Sequence, residues 1–442
     1  MLSASVKEMI RTYGIQPSDR LLIAISGGVD SVVAAHLLHS SKFQIALAHA
    51  NFSLRGEESD GDETFVRELA NSFYIPFFST RFETKNYASS KGVSTQMAAR
   101  ELRYSWLREL MQEGGFNYLV TGHHLDDALE TALFNFAKGT GIAGLRGMLP
   151  LHEDIFRPLL NSTREEILDY ANKNGLSWRE DSSNEQSTYA RNFIRHEIIP
   201  RLAEINPSLA STYSHTHRRL LDTEQILKAE ADRRMQRFCE MRGTDVYIQR
   251  EAFHDDNIAI AEQILAPYSL TFSQVNDLLT CISRGEHSRL FFSGDHVLNL
   301  DREHLIISQK VRDIPALYLE KRSQVISHAL GEIRLSVEEG NHPVLRGSDA
   351  ASLDFDRLSD QLIIRKWERG DRFRPLGMKG KKKISDFMID EKIPLNLKER
   401  TFVLESDGVV AWVIGHRISH DFRVTEKTVT RLNIIFDHDQ SV

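Results

Sequence analysis

The chain is poor in cysteine. Only Cys239 and Cys281 occur, far apart, which excludes a disulfide scaffold and offers no Cys-x-x-Cys metal pair. No apolar run approaches membrane-spanning length, so no membrane partner is expected. The N-terminus, Met-Leu-Ser-Ala-Ser-Val-Lys-Glu, lacks the apolar core of a signal peptide, and a cytoplasmic location is the expectation. Excess positive charge is missing too. A formal net charge of −7 argues against a generally basic nucleic-acid coat, while leaving room for a local basic patch. What remains, 41% hydrophobic and 26% charged residues over 442 positions, is ordinary globular composition with two to four domains.

The organising stretch is Leu21–Ser31, Leu-Leu-Ile-Ala-Ile-Ser-Gly-Gly-Val-Asp-Ser. A short apolar run stops at two glycines, and Asp30 and Ser31 open an apolar helical pattern. This predicts a buried strand, a tight turn and a helix N-terminus. Gly27 and Gly28 allow unusual backbone angles and close approach of a ligand. Helix starts present unpaired N–H groups and attract anions, and Ser26 and Ser31 add hydroxyls. Asp30 would repel a bare phosphate, so its natural role is to hold Mg²⁺ on one. No lysine follows the glycines, so this is not a Walker loop, and it is not Gly-x-Gly-x-x-Gly. It resembles the PP-loop of the N-type ATP pyrophosphatases, which cleave ATP between its α and β phosphates.

Further strands are expected at Phe43–His49, Tyr74–Arg81, Tyr118–Thr121 and Ile155–Leu160, with helices over 2–13, 59–72, 94–113 and 127–138 between them. Such alternation predicts an α/β doubly wound parallel sheet, whose ligands sit beyond the carboxyl ends of the strands. Three polar clusters matter here. His49-Ala-Asn51 through Arg55 follows the second strand, either as a plain polar loop or as a reader of adenine and phosphate. Arg100 and Arg103 share a helical face, which context alone lifts above a solvated basic surface. His123-His124-Leu-Asp126-Asp127-Ala-Leu-Glu130 ends the fourth strand. Here Asp126 or Asp127 can cap a helix with Glu130 completing a capping box, leaving other carboxylates for chemistry. His123, His124 and Asp127 match no standard zinc spacing. The glycine-rich stretch Lys138–Met148 reads as a flexible connector or a phosphate- or tRNA-facing loop. Ser162 and Glu165 suggest a capping box on a helix over 162–174.

Residues 208–310 turn helix-rich, over Thr216–Phe238 and Ile258–Ser283. From about 320 short β-like runs appear: Ile333–Val337, Gln361–Trp367 and Val409–Ile414. Within them Arg365–Lys383 carries nine Lys/Arg against two acidic residues, a local charge of +7. Trp367 and Phe373 interleave the cations, a composition suited to phosphates and stacked bases, although a solvated loop is the plain alternative.

The PP-loop, His49-x-Asn51-x-x-Leu54-Arg55, Ala99-Arg100-x-x-Arg103-Tyr104, His123-His124-x-Asp126-Asp127-x-x-Glu130-Thr131, Arg157-Pro158-Leu159 and Asp181-x-Ser183-Asn184 with Arg191-Asn192-x-Ile194-Arg195 occur in this order. Together they resemble the tRNA(Ile)-lysidine synthetase family, as does the C-terminal segment with Ile393-Pro394 and Val413-Ile-Gly415. The resemblance implies a catalytic domain over 1–210, a helical tRNA-binding domain over 215–312 and a small α+β tRNA-binding domain over 320–442. It implies ATP held by Ser26, Gly27, Gly28, Val29, Asp30, Ser31, His49, Asn51 and Arg55, with Mg²⁺ on Asp30. The wobble cytidine of a CAU anticodon would be adenylated at O2, and the ε-amine of free L-lysine would then displace AMP. Asp30, Arg100, Arg103, His123, Asp127 and Glu130 carry catalysis on this reading. Arg191, Arg195, Arg369, Arg372, Arg374, Lys381, Lys382 and Lys383 face the tRNA. A homodimer stays open.

Two other readings share the loop. A tRNA thiolase normally needs active-site cysteines, and the first 238 residues contain none. An amidating synthetase needs an ammonia source, and no glutaminase segment with a nucleophilic cysteine is visible. A non-catalytic tRNA-binding protein is disfavoured by intact Asp30, Asp127 and Glu130.

Overall fold

A computed structural model of the chain describes residues 2–54, 56–179, 189–310, 314–328, 331–340, 343–345 and 347–437. These form two compact units, 1–226 and 227–442.

The first unit begins with α1 (Leu2–Thr12), β1 (Arg20–Ala24), α2 (Val29–Ser40), β2 (Gln44–Asn51), α3 (Glu57–Phe73) and β3 (Phe77–Arg81). There follow α4 (Thr84–Lys91), α5 (Thr95–Gly114), β4 (Tyr118–Thr121), α6 (Leu125–Lys138) and α7 (Ile142–Leu145). A short hairpin, β5 (Leu151–His152) and β6 (Ile155–Phe156), precedes α8 (Arg164–Lys173), α9 (Tyr189–Phe193), α10 (Ile199–Ile205) and the long α11 (Leu209–Phe238). The sheet order is β3-β2-β1-β4-β6-β5, parallel except for β5. Leu21, Leu22 and Ile23 are wholly buried because helices cover both faces, which is why β1 reads as an unbroken apolar run. The chain leaves β1 toward β2 on one side and returns to β4 on the other. The carboxyl ends of β1 and β4 therefore flank the switch point where such sheets bind ligands.

Three local expectations are corrected. The fifth strand, expected over Ile155–Leu160, is only the β5–β6 hairpin. The capping box on α8 uses Thr163 and Glu166, one residue beyond Ser162 and Glu165, and Ser162 is buried beneath it. On α6 the N-cap is His124, whose N–H donates to Asp127 Oδ2 at 3.0 Å, so Asp127 rather than Glu130 completes the cap.

The second unit opens with β7 (Cys239–Arg242), β8 (Asp245–Gln249), α12 (Ile258–Leu265), α13 (Phe272–Ser283), β9 (Arg289–Ser293), β10 (His296–Leu300) and β11 (His304–Gln309). The expected helices are present, broken near Pro267. With them lies an antiparallel sheet of order β7-β8-β11-β10-β9, and Leu278, Leu298, Leu300 and Leu305 share its core. The C-terminal part contains β12 (Leu317–Glu320), β13 (Gln324–His328), β14 (Gly331–Glu339), β15 (Ala350–Asp354), β16 (Gln361–Lys366), β17 (Arg372–Phe373) and β18 (Lys382–Lys383). It continues with α14 (Ile384–Asp390), α15 (Leu395–Lys398), β19 (Phe402–Ser406), β20 (Val409–Val413), β21 (Arg417–Ile418) and β22 (Thr430–Asp437). Its sheets β12-β16-β19-β20-β21 and β13-β14-β22-β15 share a core that includes Leu362, Leu404, Trp412, Leu432 and Ile434. A buried polar link ties α15 to the preceding sheet. Asn299 Nδ2 donates to Asn396 Oδ1 at 3.0 Å, and Asn396 Nδ2 donates to Ser308 Oγ at 2.7 Å.

Candidate active site

The loop after β1 is tied in a small knot. Gly27 sits at φ +97°, a conformation glycine adopts without strain. Gly28 N–H donates to Ser26 Oγ at 3.2 Å, and Ser31 Oγ donates to Gly28 O at 2.9 Å. No side chain caps α2, so its first turn, Val29 to Ser31, presents N–H groups to an anion. Gly122, at the end of β4, presses on this turn. A Cβ there would lie 2.9 Å from Ser31 N and 3.0 Å from Asp30 C, both backbone atoms. Arg179 holds the loop from the other side: its N–H donates to Gly27 O at 3.0 Å and its Nε to Asp62 Oδ1 at 2.5 Å.

A cavity of about 210 Å³ opens over the loop. Ala24, Ala48, Ala50, Phe52 and Leu107 give it apolar walls, and Ser26, Asp30, Ser31, Arg103 and His123 give it polar ones. Arg103 has no acidic partner among the described residues, and burial pushes its guanidinium below the ordinary arginine range. Arg100 is exposed and does not line this cavity. Both guanidiniums lie over the Tyr104 ring, at 5.0 and 5.2 Å from its centroid.

Asp30 stands at the centre of a charged ring. Its Oδ2 lies 3.2 Å from Arg164 Nη1, and its Oδ1 lies 3.9 Å from His124 Nε2. His124 Nδ1 lies 3.2 Å from Asp126 Oδ2, which also accepts the Arg164 N–H at 3.0 Å. Burial pushes the Asp30 carboxyl up, against the opposing pull of His124 and Arg164. Burial alone would lower His124, but Asp126, Asp127 and Asp30 outweigh it and raise its pKa. His123, next in the chain, goes the other way: burial, aided by the charges of Arg157 and Arg103, lowers it to about 4. Its Nδ1 is 2.8 Å from Thr121 Oγ1.

A second cavity, of about 190 Å³, is lined by His123, Asp127, Glu130, Met148, Arg191, Asn192 and Arg195. Glu130, 6% exposed, accepts from Arg195 Nε at 2.5 Å and Nη2 at 2.9 Å, and Asp127 Oδ1 lies 3.4 Å from Arg195 Nη2. Arg195 is delivered by a π-helical turn, Ile194–Ile198, between α9 and α10. Arg195, expected to face a polyanion, has its guanidinium engaged by these carboxylates and stays partly exposed. Arg191 is exposed and donates to Thr131 Oγ1 at 3.3 Å.

Two other expected ligand residues have their side chains turned into the scaffold, beside Ala48, Ala50 and Phe52 of the cavity wall. His49 is buried with Nδ1 3.0 Å from Ile25 O. Asn51 is buried and donates to Asp60 and Glu63 at the start of α3. Neither lines the cavity. Arg55, Asp181, Ser183 and Asn184 lie outside the described residues. The glycine-rich stretch is no loose connector. Tyr213 Oη donates to the Arg146 carbonyl at 3.0 Å and lies 3.3 and 3.4 Å from those of Ala128 and Leu145, and Arg146 pairs with Glu224 at 2.5 Å.

In the basic segment the aromatics are structural. Phe373 is 1% exposed, and the half-buried Trp367 donates its Nε1 to Lys398 O at 2.6 Å, which corrects the base-stacking expectation. Arg365 bridges Asp371 and Glu405, Lys382 pairs with Asp390, and Arg374 lies 3.5 Å from Asp421. Arg369, Arg372, Lys381 and Lys383 are exposed.

Sequence reasoning missed Arg164, Arg179 and Gly122, and gave Arg157 no role. Arg157 donates Nη1 to Leu149 O at 2.8 Å, while its buried Nε has no partner among the described residues.

A parallel sheet with an uncapped, glycine-turned helix start at its switch point, closed by Asp30 and Ser31, defines a PP-loop nucleotide-binding enzyme. Three family profiles match in order: a PP-loop domain over residues 1–202, a TilS substrate binding domain over 244–310 and a TilS substrate C-terminal domain over 362–434. The chain is similar to the tRNA(Ile)-lysidine synthase of Bacteroides thetaiotaomicron, at 37% identity over 93% of this chain and 94% of that protein. It is also similar to those of Parabacteroides distasonis, at 35% over 98% and 99%, and Porphyromonas gingivalis, at 33% over 98% of each chain. The chain belongs to the tRNA(Ile)-lysidine synthase family.

Proposed function

We propose that this chain uses ATP to adenylate O2 of the wobble cytidine in a tRNA(Ile) with a CAU anticodon, then joins free L-lysine to C2. The products are lysidine, AMP and pyrophosphate. The observation that carries the reading is the place of His123. It lines both the cavity over the PP-loop and the cavity holding Asp127 and Glu130, so the adenylating loop and the paired carboxylates meet across one side chain.

In this reading the adenosine lies against the apolar walls of the first cavity, and the phosphates cover the first turn of α2. Arg103 faces charge developing on the α-phosphate. Asp30 Oδ1 is buried without a hydrogen-bond partner among the described residues, a carboxylate oxygen fitted to hold Mg²⁺. When bound, that ion neutralises phosphate charge. In the second cavity Asp127 and Glu130, the carboxylates that also engage Arg195, hold the lysine ammonium. An amine of reference pKa about 10.4 is protonated at neutral pH and cannot attack. His123 is neutral at that pH and adds no positive charge to repel the ammonium. The exposed cations Arg369, Arg372, Lys381 and Lys383 suit tRNA phosphates. Among the described residues no helix is long and apolar enough to cross a membrane, and we place the reaction in the cytoplasm.

A pair of variants tests the division of labour. Asp30→Ala abolishes pyrophosphate release, whereas Asp127→Ala slows lysine transfer more than adenylation. Unchanged lysine transfer in Asp127→Ala would sink that assignment.

A further inference from the structure

Arg164 has no part in the scheme above, yet among the described residues it is the cation closest to the PP-loop carboxylate. Its Nη1 lies 3.2 Å from Asp30 Oδ2. Its backbone is fixed and its head is free. The main-chain N–H is held by Asp126 Oδ2 at 3.0 Å, Thr163 caps the helix that Arg164 begins, and Ile167 and Ala171 bury that helix beside Val29, Val33 and Leu37 of α2. The side chain itself is 51% exposed. A guanidinium on such a mount can turn from Asp30 to an incoming anion without moving the fold.

Its absence from the cavity lining matters as well. Arg103 lines the cavity over the PP-loop, whereas Arg164 meets Asp30 without lining that cavity. With the nucleoside in that cavity beside Arg103, the adenylation reading leaves Arg164 to the outer phosphates of a triphosphate laid over the helix start. Adenylation forms a bond between cytidine O2 and the α-phosphorus and breaks the α-phosphorus bond to the oxygen bridging to Pβ. The bonding electron pair leaves on that oxygen, so negative charge grows on the outer two phosphates.

We propose that Arg164 is the leaving-group residue of this reaction: its guanidinium passes from Asp30 to the β- and γ-phosphates and neutralises pyrophosphate as it departs. The inference rests on the adenylation reading and adds a residue to it. Arginine suits the task because its planar fork binds phosphate oxygens bidentately.

The test is direct binding of pyrophosphate and of AMP, each with Mg²⁺, to the full chain by titration calorimetry. Wild type, Arg164→Gln and Arg164→Lys are compared, with melting temperature as a check on folding. Loss of a charge-assisted contact predicts pyrophosphate binding weakened about 10- to 100-fold in Arg164→Gln. AMP affinity stays within about twofold, and Arg164→Lys recovers part of the loss. tRNA-dependent ATP–pyrophosphate exchange falls with it, while the KM for lysine is unmoved. Equal weakening of AMP and pyrophosphate would show a merely structural ion pair, and unchanged pyrophosphate binding would remove Arg164 from the site. Either result overturns the inference. Absence of exchange in the wild-type enzyme would instead overturn the adenylation reading.

Discussion

Gly122→Ala adds one methyl group where β4 meets the PP-loop. The new Cβ would stand 2.9 Å from Ser31 N, 3.0 Å from Asp30 C and 3.1 Å from Ser31 Cα. All three are backbone atoms at the start of α2, so no side chain can swing aside. Restoring ordinary contact moves the loop by about 0.5 Å, an overpacking strain of about 1–3 kcal/mol. For a unit of this size that lowers the melting temperature by about 2–12 °C. The same shift misplaces Asp30 and Ser31. Because a misplacement on the order of 1 Å costs about a hundredfold in rate, half of it predicts about a tenfold loss of tRNA-dependent ATP–pyrophosphate exchange. Gly347→Ala is the control: its nearest non-neighbouring atom is 4.0 Å away, and neither readout changes. Exchange within twofold of wild type with an unaltered melting temperature would mean that the loop is not seated against β4, and the close-approach argument would fall.

Three further outcomes follow from the same geometry. Burial depresses His123 to about 4, so in acid the unfolded chain binds a proton that the folded chain refuses; stability is intact above the unfolded value of about 6.5 and is lost as pH falls toward 4, by about 3 kcal/mol. Melting at pH 7 and pH 4.5 checks this, and His123→Asn should flatten the difference. Replacing both Lys381 and Lys383 by alanine weakens tRNA binding and lowers the slope of log affinity against log salt by about 1–2; an unchanged slope makes the segment a solvated loop. Asn396→Ala strands Asn299 Nδ2 and Ser308 Oγ in the interior, and denaturant unfolding should show a loss of about 1–3 kcal/mol.

The core of the site was legible because its signals are local. An apolar run, two glycines and an Asp-Ser step compel a strand, a turn and a helix start within eleven residues, Leu21–Ser31. The carboxylates Asp127 and Glu130 came from their position in a motif shared with the resembled family, His123-His124-x-Asp126-Asp127-x-x-Glu130. What escaped are partnerships across the chain: Arg164 meets Asp30 over 134 residues, and Arg179 meets Asp62 over 117. No spacing rule reaches so far, so Arg195 read as a free cation although Glu130 holds it. Gly122 did leave a trace, a glycine between a strand and a histidine pair, but the need for it is a close approach that only the fold creates. The helix α4 was missed because its sequence, Thr-Lys-Asn-Tyr-Ala-Ser-Ser-Lys, has no apolar stripe. The sheet of β9, β10 and β11 was hidden beside stronger helical patterns. Phe373 and Trp367 show the reverse error: aromatics among cations suggested stacking on bases, while burial makes them core and anchor.

The account stands or falls on transfer of labelled lysine. The purified protein is mixed with ATP, Mg²⁺, labelled L-lysine and tRNA(Ile) bearing a CAU anticodon. The account predicts label in the tRNA that survives mild alkaline deacylation and requires the wobble cytidine. No incorporation, from a preparation active in ATP–pyrophosphate exchange, would contradict it, leaving the PP-loop chemistry in place but assigning it another nucleophile.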